Sequence, residues 1–177
     1  MISGSLRAGS TNTALLRTAA ALEPPGVSAV LYEGLAGLPH FNPDDDPDGG
    51  RPPAPVAELR GALAATDALL FCTPEYAGAL PGALKNLLDW SVGGGETYGL
   101  PVAWVNAAGA AAPTGARLAH DSLRTVLGYT GSRIVEAACV RIPVPRAEVG
   151  DDRLIADPAI RAGVRGVLAR LAQEAGG

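Results

Sequence analysis

Two short runs constrain this chain more than any other feature. ALLFC at 68–72 and PVAWVNAAG at 101–109 are apolar without alternation, the pattern of strands covered on both faces, as in a parallel sheet. Parallel strands need long crossovers, and around these runs the apolar residues recur at helical spacing. Leu15, Ala19 and Leu22 mark a helix from residue 12; Val56, Leu59 and Leu63 mark a second. Leu80, Leu84, Leu87 and Leu88 mark a third, and Leu118, Leu123, Val126 and Leu127 a fourth. The final helix is the clearest: Asp157 can cap it, Pro158 suits its first turn, and Ile160, Val164, Val167, Leu168 and Leu171 form one stripe. Weak alternation at 27–32 and an apolar stretch at 134–140 supply two more strands. Strand and helix therefore alternate, which predicts one three-layer α/β domain over residues 1–177, with a five-stranded parallel sheet and helices on both faces.

A strand should also precede the first helix, and only residues 1–3 are free for it, which is short for a central position. Either the true start lies upstream of Met1, or the first strand is stunted at a cost in stability. LPHFNPDDDPDGGRPPAP at 38–55 reads as surface loop.

Composition narrows the function classes. With 47% apolar and 18% charged residues the chain has a globular profile, and a net charge of -4 argues against a nucleic-acid surface. No apolar run approaches the roughly 20 residues of a membrane span, and the amino terminus lacks a secretory pattern, so a cytoplasmic protein without membrane or nucleic-acid partners is expected. Cys72 and Cys139 sit in apolar segments without metal-ligand neighbours, the setting of small buried side chains.

Two stretches carry chemistry. GSLRAGSTN at 4–12 opens the first helix and resembles the triphosphate loop in Gly4, Gly9 and Thr11, but Ser10 stands where a lysine must reach the β and γ phosphates. What it offers is a helix amino terminus, the hydroxyls of Ser5, Ser10 and Thr11, the Asn12 amide and the Arg7 guanidinium, a set that matches one phosphomonoester dianion. TPEYAGALPGALKN at 73–86 follows the strand at 68–72. Both stretches leave the carboxyl ends of strands, where doubly wound sheets bind ligands.

Together, GSLRxxSxN and TPEYxGxxPGxLKNxxDW make the chain resemble the NADPH-dependent FMN reductases of flavodoxin-like fold, a group that includes quinone, azo-dye and chromate reductases. The resemblance implies strand order 2-1-3-4-5. It implies that Ser5, Arg7, Ser10, Thr11 and Asn12 hold the FMN phosphate, while Pro74, Glu75, Tyr76, Ala77 and Gly78 wrap the isoalloxazine. In NAAGAAAPTGAR at 106–117, Asn106, Gly109, Gly115 and Arg117 correspond best to the family's third contact, beside the ring and the nicotinamide. Ala77 replaces the asparagine common after the tyrosine. The implied activity is transfer of two electrons from NADPH or NADH, through flavin N5, to a quinone, free flavin, azo compound or metal oxyanion, by a homodimer or homotetramer. A one-electron carrier of flavodoxin type and a nucleotide-monophosphate binding module are the competing classes.

Other signals carry less. Lys85, the only lysine, and Asp89 and Trp90 read as helix surface and packing residues. DDDPDGG begins like a calcium loop with Asp44, Asp46, Asp48 and Gly49, but its twelfth position is Pro55, so no metal is expected. GGG at 93–95 falls at the amino edge of the sheet, away from ligands. His40 and His120 are isolated and receive no acid or base role. In a flavodoxin-like order one strand separates the two cysteines by about 9.5 Å, too far for a disulfide.

Overall fold

The computed structural model describes residues 1–47, 50–110 and 112–176. Its centre is β2 (Leu69–Cys72), buried along its whole length, flanked in parallel by β1 (Ile2–Ser3) and β3 (Pro101–Asn106). Ser3 pairs with Cys72 and Phe71 with Trp104. Side chains alternate across a strand, so Leu70, Cys72, Ala103 and Val105 face one core and Leu69, Phe71, Val102 and Trp104 the other. α1 (Thr11–Ala20) and α5 (Pro158–Ala175) cover the first face through Leu15, Leu16, Val164 and Leu171. α2 (Ala54–Ala64), α3 (Gly82–Gly94) and α4 (Arg117–Tyr129) cover the second through Leu59, Leu84, Leu88 and Leu123. This is the expected α/β three-layer arrangement.

The five strands are not all the expected ones. Residues 27–32 form no strand: one parallel bridge joins Tyr32 to Ile2, with Tyr32 N–H donating to Met1 O at 2.9 Å. Ala29 N–H donates instead to Glu23 Oε1 at 2.7 Å, and Val30 points outward, 71% exposed, so this edge finds partners outside a ladder. The strand expected at 134–140 is broken into β4 (Arg133–Ile134) and β5 (Val140–Arg141), both on β3. Between them the 3-10 turn Glu136–Ala138 folds Val135 and Ala138 into the core. The register of Arg133 on Pro101 and of Val140 on Val105 differs by three residues, the length of that turn. The order of pairing is therefore β1-β2-β3-β4 with β5 also on β3, and among the described residues the outer place beside β1 holds the Tyr32 bridge alone.

The loop over 38–55 is tied down at its first half. Asn86 Nδ2 and Trp90 Nε1 both donate to Pro39 O, at 2.8 and 2.9 Å, and Phe41 N–H donates to Asn86 Oδ1 at 2.7 Å. Phe41 meets Trp90 edge-on with centroids 5.0 Å apart. Arg60 then forks onto Asp46 at 2.9 and 2.7 Å and donates to Trp90 O. The LKNLLDW stretch thus works structurally: Asn86 and Trp90 hold the loop, Trp90 fully buried, while Lys85 pairs with Asp89 on the helix surface. Asp48 and Gly49 of the calcium-like stretch lie outside the described residues.

Candidate functional site

Because β1 and β2 are parallel neighbours in the register of Ser3 on Cys72, the two motif loops leave the sheet side by side. The contact is close. Gly4 N–H donates to Cys72 O at 2.9 Å, and a Cβ on Gly4 would stand 2.1 Å from Thr73 Oγ1, so only glycine fits where the loops meet. One turn on, Cys72 Sγ donates to Asn12 Oδ1 at 3.2 Å. Burial pushes the Cys72 thiol far above its ordinary range, which keeps it a neutral donor rather than a redox thiolate. Cys72 and Cys139 are both free.

Within the first loop the hydroxyls are partly committed. Ser10 caps α1, its oxygen accepting from Thr13 N–H at 3.3 Å, and Ser5 Oγ accepts from Arg7 N–H at 3.3 Å. The N–H groups of Thr11 and Asn12, the first two of α1, have no internal partner among the described residues, and neither does the exposed Arg7 guanidinium. The loop thus leaves two amides at a helix amino end and the Arg7 guanidinium facing outward, groups of a chemistry that suits an anion.

The second loop turns at residues 76–79. Tyr76 N–H donates to Ala79 O at 3.0 Å and Ala79 N–H to Tyr76 O at 3.1 Å, with Ala77 and Gly78 at φ 50° and 75°. Positive φ at both central positions makes this a type I′ turn, for which Asn-Gly is the favoured pair. Position 77 thus has a backbone conformation that asparagine adopts more readily than alanine. Ala77→Asn should raise stability by about 1 kcal/mol, seen as a melting temperature higher by roughly 2–4 °C; a lower one would contradict the turn assignment. Tyr76 is 52% exposed and Leu6, on the facing loop, 57% exposed, giving the edge two apolar surfaces beside its polar donors.

The Glu75 side chain is engaged within the protein. Its Oε1 accepts from Thr114 Oγ1 at 2.7 Å, and its Oε2 accepts from Leu118 N–H at 3.0 Å and Ala119 N–H at 3.3 Å. These amides open α4, whose own cap residue, Ala116, has no side-chain acceptor and sits at φ 59°. The carboxylate thus caps α4 from another loop and fastens the second loop to the third. A contribution of Glu75 to a ligand falls to its backbone.

In the third loop Asn106 is a strut, donating to Gly115 O at 2.7 Å and accepting from Ala108 N–H at 2.9 Å. Gly109 O accepts from Ala112 N–H at 3.2 Å, and Arg117 pairs with Asp121 one turn along α4 at 2.7 Å on the surface. Asn106 and Arg117 line a cleft of about 410 Å³ with Trp104, His120 and Arg124, which no residue of 4–12 or 73–78 lines. Two of the three arginines lining this cleft are paired, Arg117 with Asp121 and Arg124 with Glu136, and Arg124 lies 5.0 Å over Trp104; the third, Arg141, donates to Ala108 O at 3.2 Å.

His120 is buried there, stacked 6.1 Å from Trp104, with Nδ1 2.7 Å from Ala116 O and Nε2 buried without a partner among the described residues. Burial lowers its pKa from the usual 6.5, against the pull of Ala116 O, Asp121 and Glu75. The neutral ring is the native form, so its stability contribution is present above about pH 6.5 and is lost as the pH falls through the lowered folded value. Melting temperature should fall between about pH 7 and pH 5, and His120→Asn should flatten that fall; an equal slope in the variant would contradict it.

Arg153 carries no signal in the sequence. From the turn at 150–154 its Nη1 donates to Ala8 O at 3.1 Å, across 145 residues, which places a second arginine on the first loop. Among the described residues the non-glycine residues at positive φ are Ala77, Ala116 and Arg153, and all three lie in the loops of this edge. Strain of that kind collects at functional sites.

Comparison with known proteins bears on the family. A family model described as NADPH-dependent FMN reductase matches residues 1–144. An NAD(P)H-dependent FMN reductase of Pseudomonas aeruginosa is 49% identical over 90 residues, 51% of this chain and 47% of that protein. A 2-hydroxy-1,4-benzoquinone reductase of a Burkholderia species is 35% identical over 136 residues, 73% of this chain and 69% of that protein. The chain thus spans about half the length of the first relative and about two thirds of the second. The solved structure of FerB, a flavoenzyme NAD(P)H:(acceptor) oxidoreductase from Paracoccus denitrificans, superposes with a TM-score of 0.77 at 25% identity, covering 97% of this chain and 95% of that one. Both motifs, the loops they build and the match over 1–144 lead to one assignment: the chain belongs to the NADPH-dependent FMN reductase family.

Proposed function

We propose that the chain binds FMN with its phosphate in the loop at 4–12 and its ring against 74–78, and passes two electrons from NAD(P)H to a small-molecule acceptor of quinone type. The observation that carries this reading is the junction of the two loops, where Gly4 bonds Cys72 and Asn12 receives the Cys72 thiol, so that an anion site and an apolar platform share one edge. FMN, when bound, would supply the ability to accept one hydride, and so two electrons, from one substrate and to pass two electrons on to another.

The protein's part is to hold and to orient. Thr11 and Asn12 N–H, the hydroxyls of Ser5, Ser10 and Thr11, and Arg7 fit a phosphate dianion. Tyr76 and Leu6 present apolar surface to a flat ring, and the backbone around Gly78 is left open to it. Glu75 and Asn106 brace the loops behind. Among the described residues no helix is long and apolar enough to cross a membrane.

Titration of the purified chain with FMN, followed by NADPH and a benzoquinone, tests the reading: flavin fluorescence should be quenched on binding, and NADPH oxidation should depend on FMN and quinone together. Arg7→Ala should weaken FMN by about 1.5–3 kcal/mol, roughly ten- to a hundredfold in Kd. Unchanged affinity would remove the phosphate role of this loop.

A further inference from the structure

The geometry points to Arg153 as a second cation of the phosphate loop, which sets the preference of the site for a phosphorylated flavin over its dephosphorylated form. This rests on the FMN reading above and adds to it a residue outside the 1–144 that match the family.

Three observations support it. Arg153 Nη1 bonds Ala8 O at 3.1 Å and stands 3.7 Å from where a Cβ of Gly9 would be, so its guanidinium lies over the stretch that runs into Ser10, Thr11 and Asn12. That position is held against a conformational cost. Arg153 has φ 65°, where a side chain is disfavoured and glycine is not, in a turn closed by Gly150 N–H to Leu154 O and Arg153 N–H to Gly150 O, each 2.9 Å. A turn needing only its shape would carry glycine or asparagine there. The third observation is charge. A phosphomonoester carries close to two negative charges, while the loop itself supplies Arg7 and the partial charge of α1, whose first turn holds no acidic residue. Arg153 makes up the difference. Of its acidic neighbours, Asp152 is turned to its own backbone, Oδ1 accepting from Leu154 N–H at 3.0 Å.

The backbone conformation makes the test clean. Arg153→Gly removes the cation and relieves the strain at once, so thermal stability should hold or rise while FMN binding weakens. Flavin fluorescence titrations of wild type, Arg153→Gly, Arg153→Lys and Arg7→Ala, with FMN and with riboflavin, read the two properties apart. The expected result for Arg153→Gly is FMN binding about tenfold weaker, riboflavin binding unchanged and a shallower salt dependence for FMN, with Arg153→Lys recovering most of the loss. FMN binding within twofold of wild type in Arg153→Gly, alongside a loss in Arg7→Ala, would overturn the role of Arg153 and leave the site intact. Equal weakening of FMN and riboflavin would reduce Arg153 to a strut for Ala8. A wild-type chain that does not prefer FMN to riboflavin would instead defeat the underlying assignment of the phosphate loop.

Discussion

Trp90→Ala should be the most damaging single change, at about 3–5 kcal/mol. The side chain is fully buried, among the largest in the core, and does three things at once. It fills the layer between α3 and the sheet, holds Pro39 O through Nε1 at 2.9 Å, and meets the edge of Phe41. Truncation would leave a cavity, take away one of the two donors to Pro39 O and the aromatic partner of Phe41, and loosen a loop at 38–46 that Asn86 and Arg60 still hold. For a chain of this length that corresponds to a melting temperature lower by roughly 6–20 °C. Trp90→Phe separates the parts: it keeps most of the packing and loses the hydrogen bond, so its cost should be nearer 1 kcal/mol. Equal losses in the two variants would show that the indole N–H, not the packing, holds the loop.

The second large effect is expected at Glu75. Replacing it by alanine strips the amino end of α4 of the one side-chain acceptor it has among the described residues and leaves Leu118 N–H, Ala119 N–H and the Thr114 hydroxyl without that partner. Hydrogen bonds to a charged group are worth about 1.5–3 kcal/mol, so the variant should lose roughly 2–3 kcal/mol and melt some 4–12 °C lower. The same variant separates two roles. If Glu75 acts only through its backbone toward the flavin, the stability loss should exceed the loss of FMN affinity, measured at a temperature where the fold is intact. Loss of FMN binding without loss of stability would put the carboxylate back in the site.

The parts of the fold legible in the sequence are those whose environment writes a simple pattern. β2 and β3 are covered on both faces, so their runs are apolar throughout, and α5 lies on one face, so its stripe is clean. The edges are different. The apolar residues at 27–32 resemble a strand, yet Ala29 N–H goes to Glu23 and Val30 to solvent. At 134–140 the apolar residues are equally suited to a strand or to a turn packed into the core, and Ala138 takes the second course. Local pattern does not separate the two, because the choice depends on register with β3.

At the site, the motifs disclosed which loops meet and the kind of ligand they suit. They did not disclose what the side chains do. Glu75 finds its amide partners 43 and 44 residues away on α4, and Asn106 closes a loop on its own strand's far side. Arg153 meets the first loop across 145 residues with no motif around it, and a lone arginine in a turn otherwise reads as surface. Only a stalled backbone angle distinguishes it, and that angle exists only in three dimensions.

The broken strand at 133–141 bears on how copies of the chain can associate. Beyond β3 the sheet ends in two pieces of two residues each, offset by a turn, and beyond β1 it ends in a single bridge. Neither margin offers the straight row of open amides and carbonyls that another strand would zip onto. Continuous sheets across subunits, and the fibrous stacking that grows from them, are thereby discouraged at both sides.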